Sequence, residues 1–113
     1  MPPRQLARSL KAELRPPAGA ADNGGRGKLE SKGYSDGRQR LEIQLTGLAV
    51  VGEAHTVITV AGRELAQLPV TRGEVRFDHS APTPEQMPQF SPGDRVEVKI
   101  SGLLLLIGVI HAG

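Results

Sequence analysis

The side chains able to do chemistry in this chain are few and scattered. His55, His79 and His111 are its only histidines, and none has a second ligand at the short spacing from which a strand or helix builds a metal site. They would hold a metal only by converging in space with a carboxylate, so the sequence favours three separate surface histidines and no metal or other cofactor. Asp78, His79 and Ser80 are consecutive and supply the residue types of a hydrolytic triad. Adjacent side chains on an extended strand point to opposite faces, however, so Asp78 has no way to orient His79. Glycoside hydrolysis needs two carboxyl groups, one keeping its proton through burial, whereas Glu42, Glu74 and Glu97 all fall on the polar faces of their segments. Gly24-Gly25-Arg26-Gly27 is glycine-rich enough to approach a phosphate, yet no helix start follows to hold the anion. Cysteine is absent, which removes thiol nucleophiles, disulfides and cysteine metal sites together. The expectation is a protein that is not an enzyme.

The elements that carry these residues read as strands. A nine-residue phrase occurs twice, Arg40 to Leu48 and Arg95 to Leu103, and each copy alternates apolar with polar residues. Leu41, Ile43 and Leu45, with Val96, Val98 and Ile100, are expected to face a common interior, while Arg40, Glu42, Gln44, Arg95, Glu97 and Lys99 face water. Internal duplication and convergence on the same strand pattern both account for the two copies. Leu10, Ala12 and Leu14 predict a first strand ended by Pro16-Pro17, and Pro16 to Gly27 predicts a mobile loop. Lys28 to Lys32, the turn Tyr34-Ser35-Asp36-Gly37 and the first repeated phrase predict a hairpin over residues 28 to 46. Leu48 to Val51 reads as a connector between Gly47 and Gly52. His55 to Val60 is a β-branched strand, turned by Ala61-Gly62-Arg63. Glu64 to Val70 and Glu74 to Asp78 predict a further hairpin around Thr71-Arg72-Gly73. His79 to Asp94 contains four prolines and predicts a crossover between sheets pinned by Met87 and Phe90, with Pro92-Gly93 at the centre of a type II turn. Ser101-Gly102 then turns into a last strand, Leu103 to Ile110.

Seven or eight short strands, one proline-rich crossover and no helical periodicity predict a small antiparallel β-sandwich of immunoglobulin-like type. The 113 residues suit one domain, residues 10 to 113, preceded by a disordered segment over residues 1 to 9. One Tyr, two Phe and no Trp leave the core to Leu, Val, Ile and Ala. Scarce aromatics also count against sugar stacking in a carbohydrate or small-ligand site.

From Leu10 to Ile58 the order of features resembles the CHRD domain, a β-rich module of extracellular and bacterial envelope proteins. The resemblance rests on Leu10-Lys11-Ala12-Glu13-Leu14, Pro16-Pro17, Gly27 before Lys28 to Lys32, Leu41 through Leu48, and Ala54-His55. That family carries a His-x-His pair after the Gly-Leu strand end, and here Val57 stands at the second position. The resemblance implies an all-β module with an envelope or extracellular bias and assigns no functional residue.

Function is therefore expected to work by contact, as a structural or protein-interaction module. Leu103, Leu104, Leu105, Leu106 and Ile107 break the alternation. A strand apolar on both faces is buried on both sides or presents one to a partner. The covering element would be the N-terminal segment, the proline-rich crossover, or a second copy in a homodimer, which makes this run the candidate interaction surface. The formal net charge is +2, and the cations gather between Arg4 and Arg40, which makes an anionic polymer the alternative partner. Nucleic acid is disfavoured because neither a recognition helix nor stacking aromatics accompany the basic residues. No run reaches membrane-spanning length. Met1-Pro2-Pro3-Arg4 lacks the apolar stretch of a signal peptide, so the compartment is cytoplasmic if the chain is complete and extracellular or periplasmic if it is a mature fragment.

Overall fold

The computed structural model describes residues 6–19, 24–49, 54–83, 85 and 87–113. Its strands are β1 (Leu6–Leu14), β2 (Arg26–Tyr34), β3 (Gln39–Thr46), β4 (His55–Val60), β5 (Arg63–Pro69), β6 (Val75–Ala81), β7 (Arg95–Ile100), β8 (Leu103–Val109) and β9 (His111–Ala112). They form an antiparallel five-stranded sheet of order β6-β3-β2-β1-β9 and an antiparallel four-stranded sheet of order β5-β4-β7-β8. The fold is all-β, as expected, with nine strands among the described residues in place of seven or eight. Among those residues no helix is long and apolar enough to cross a membrane.

Alternation places the core where the repeated phrases predict it. Leu41, Ile43 and Leu45 on β3 are buried, as are Val96 and Val98 on β7, and Ile100 packs half-buried against them. Leu10, Ala12 and Leu14 from β1, Leu29 from β2, and Ile58 and Val60 from β4 complete the interior. The two phrases lie in different sheets. Beyond the first, Gly47 adopts a φ of 68° and the chain leaves for the other sheet; beyond the second, Ser101 and Gly102 (φ 51° and 78°) turn directly into β8. Two consecutive left-handed residues make a type I′ turn, whose twist matches that of the flanking strands.

The β2–β3 hairpin follows its turn chemistry. The Gly37 amide donates to the Tyr34 carbonyl at 3.0 Å and the Tyr34 amide to the Arg38 carbonyl at 2.9 Å. Gly37 alone in this turn has positive φ, 92°, so the connection is a tight turn closed by a glycine bulge. Pro92-Gly93 also takes its predicted place, with the Asp94 amide on the Ser91 carbonyl at 3.1 Å and Gly93 at φ 94°. Met87 and Phe90 are buried, and Arg8 donates to the Phe90 carbonyl at 3.1 Å, which ties the crossover to β1.

Three expectations are corrected. The predicted hairpin of Glu64–Val70 with Glu74–Asp78 does not form: β5 pairs with β4 and β6 with β3, in opposite sheets. Its turn does form, with reciprocal bonds between Thr71 and Glu74 at 2.9 and 3.0 Å. The strands part because the Val70 amide is taken by Ala54 and the Gly73 carbonyl by Leu48. The N-terminal strand starts at Leu6, since β2 runs to Tyr34 and offers Arg8 and Ser9 the partners Gly33 and Lys32; residues 1–5 of the predicted disordered segment lie outside the described residues. So do residues 20–23 of the predicted loop, 50–53 of the connector, and 84 and 86 of the crossover.

The third correction concerns the last apolar run, which is two strands. The Ile110 amide bonds Asp94 and its side chain enters the core, so the chain passes from β8 in one sheet to β9 in the other. Here the sandwich is stitched shut. Arg15 and Ile107 exchange both backbone bonds, at 2.9 and 2.8 Å. Gly108 permits the approach: a Cβ there would stand 2.4 Å from the Glu13 carbonyl oxygen and 2.7 Å from Leu14 Cδ2.

Candidate functional site

Two surfaces carry the candidate residues, one on each sheet. On the four-stranded sheet, β8 does not alternate simply. The register passes from Val98↔Leu106 to Lys99↔Leu104, leaving Leu105 as the extra residue of a bulge. Leu106 is completely buried and Leu105 packs against the core, so neither offers its side chain to a partner. Leu104, Ile107 and Val109 stand opposite Lys99, Glu97 and Arg95, whose side chains face solvent. Together with Leu103 at the strand's start they form an apolar column, with Leu103 65% and Val109 55% exposed. The N-terminal strand meets the edge of β8 through Arg15 and leaves this column uncovered.

The outer face of the five-stranded sheet is charged, and its charges are laid down in rows. Glu30, Glu42 and Asp78 are direct neighbours across β2, β3 and β6, an arrangement that repels unless cations intervene. Lys28 and Lys32 reach Glu30 at 3.6 and 3.5 Å. Arg40 does most: its Nε donates to Asp78 Oδ1 at 3.1 Å, and its Nη2 lies 2.6 Å from Asp78 Oδ2 and 2.8 Å from Glu42. The hydrogen bond from Arg40 holds the Asp78 carboxyl below its ordinary value. In return, the bond to Asp78 and then the charge of Glu42 raise the Arg40 guanidinium. Lys28, Lys32, Arg38 and Arg40, four cations of the basic N-terminal third, thus meet carboxylates close at hand.

The histidines are dispersed. His55, His79 and His111 are all exposed. His79 stacks on Phe77 with ring centroids 6.2 Å apart, on the face of β6 opposite to Asp78. Among the described residues no three His, Cys, Asp or Glu side chains are grouped to hold a metal.

The chain matches no family model and no curated protein.

Geometry adds residues that sequence reading passes over. Val109 belongs to the apolar column, while Leu105 and Leu106 turn inward; a run of leucines looks the same in either register, so no signal marks the bulge. The Arg40–Asp78 pair bridges β3 and β6, which the sequence reading had assigned no contact. Its signal is the sign pattern itself, cations and carboxylates two apart on both strands.

Proposed function

We propose that this domain is a non-catalytic β-sandwich module that acts as a structural or protein-interaction unit through its β8 face. The observation that carries the reading is the column of Leu103, Leu104, Ile107 and Val109 on a sheet face otherwise edged with charge. Exposed apolar groups set beside each other gain by leaving water, about 25 cal/mol for each Å² covered, and a polar rim fixes the partner's register. The non-catalytic part draws support from the interior, where the buried polar side chains among the described residues are the hydroxyls of Ser31 and Thr56. Thr56 donates to the Leu68 carbonyl at 2.9 Å. Such groups hold strands together and transfer no protons.

The reading extends to an immunoglobulin-like architecture, in the sense of two stacked antiparallel sheets joined by a crossover, and to a CHRD-like module of the bacterial envelope or extracellular space. Local neutralisation of the basic residues weighs against a polyanion, whose binding draws on unpaired cations.

Sedimentation velocity from about 1 to about 500 μM, the range in which weak protein contacts become visible, tests the interaction surface. Concentration-dependent self-association that Val109→Lys abolishes is the expected result. A wild-type chain that sediments as a monomer throughout, and whose amide shifts at β8 do not move with concentration, refutes it.

A further inference from the structure

We propose that the cleft at the hairpin end of the charged face binds a neutral polyhydroxyl ligand, a single sugar ring presenting a vicinal diol. This inference goes beyond the contact function of β8 and stands on the opposite sheet. The cleft encloses about 410 Å³ between the β2–β3 turn and the end of β6, with Tyr34, Arg38, Arg40, Asp78 and Ser80 in its lining. That volume lies within the range of small-ligand sites.

Its chemistry selects the ligand class. Arg40 and Asp78 form a two-point pair through Nε–Oδ1 and Nη2–Oδ2, and a planar pair held at two points keeps both groups fixed before any ligand arrives. Among the described residues the Nη1 donors of Arg40 take no partner, and each Asp78 oxygen accepts from Arg40 alone. Donors and acceptors therefore lie side by side in one plane, which suits a pair of adjacent hydroxyls, each able to give and to accept. The Ser80 hydroxyl stands on β6 opposite Arg40 and adds a group of the same kind. An anion finds no such match. Arg40 already meets both Asp78 and Glu42, and Arg38 meets Asp36 at 3.5 Å, so the cleft carries no surplus of positive charge. The one tyrosine of the chain forms part of the wall, where an aromatic side chain supplies the apolar body that a sugar's C–H face packs against.

Amide NMR of the whole chain tests the site. Methyl α-glucoside, maltose, cellobiose and diacetylchitobiose are added to about 50 mM, enough to register millimolar binding, with inorganic phosphate as the anionic comparison. Saturable shifts confined to Tyr34, Arg38, Arg40, Asp78 and Ser80 with at least one neutral sugar are expected. Tyr34→Ala and Asp78→Asn should each weaken that binding about tenfold. Both variants alter exposed or half-buried side chains, and a thermal melt verifies that they remain folded. Equal affinity for the methyl glucoside and the disaccharides would mark a free sugar, and affinity rising with length a polysaccharide. Silence toward all four sugars, shifts with phosphate alone, or shifts centred elsewhere would overturn the proposal.

Discussion

Replacing Gly108 with alanine tests the closure of the sandwich at a single methyl group. Gly108 needs no unusual backbone angle, so the substitution acts through space alone. Its Cβ would lie 2.4 Å from the Glu13 carbonyl oxygen, against ordinary contact from 3.4 Å upward, and β8 and β1 must separate by about 1 Å to admit it. Both flanks resist, because Arg15 and Ile107 are joined one residue away by bonds of 2.9 and 2.8 Å. Overpacking costs about 1–3 kcal/mol, and weakening one of the two bonds adds about 1 kcal/mol. For a domain of this size each kcal/mol moves the melting midpoint by roughly 4 °C, so Gly108→Ala should melt about 8–16 °C below the wild type. Circular dichroism melts measure the shift, and amide exchange at Arg15 and Ile107 locates it. Glycine to alanine without a clash generally stabilises, by about 0.4–1 kcal/mol through the unfolded chain, so the sign of the change is itself diagnostic. An unchanged or raised midpoint with both amides still protected would refute the close approach of β8 to β1.

Two further outcomes follow from the geometry. Ile43→Asp puts a carboxylate among buried side chains, where Ile43 is 2% exposed, at a cost above about 4 kcal/mol; loss of the cooperative melt is expected, and its retention would show the strand faces inverted. Asp78 titrates below its unfolded value because Arg40 hydrogen-bonds its ionised form, so the stability it contributes is present above the unfolded carboxyl range near about 3.9 and is lost as pH falls through the lower folded value. Carboxyl NMR shifts should show that depression in the wild type and its absence in Arg40→Gln; a wild-type midpoint in the ordinary range contradicts the pair.

Where local chemistry is decisive, the sequence is readable. The alternation of Leu41, Ile43 and Leu45 with Arg40, Glu42 and Gln44 has one burial solution, and Gly37 sits where the hairpin needs a left-handed residue. The fate of Thr71 to Glu74 is not decided locally. The same tight turn serves two strands that stay together and two that part, and the parting here depends on Ala54 and Leu48, distant residues that claim the neighbouring backbone groups. Ile110 is similar: it continues an apolar run, and only the carbonyl of Asp94, waiting for its amide, shows why the chain changes sheets there. The candidate sites were legible in proportion. An apolar last strand is visible as composition, but which of its side chains reach water depends on a bulge at Leu105. The Arg40–Asp78 pair depends on a register that no single segment contains.

The stitch between the first and last strands also constrains how the domain is made. Its bonds join residues near opposite ends of the chain, Ser9 to Gly113 and Arg15 to Ile107, so none can form until nearly the whole polypeptide is available. A nascent chain lacking its final residues would expose the flank of β1 and the inner side of β7 together. Contacts of such long sequence separation are the slow step in all-β folding. Truncation at the C-terminus, even by a few residues, should therefore slow maturation more than its small lost area suggests.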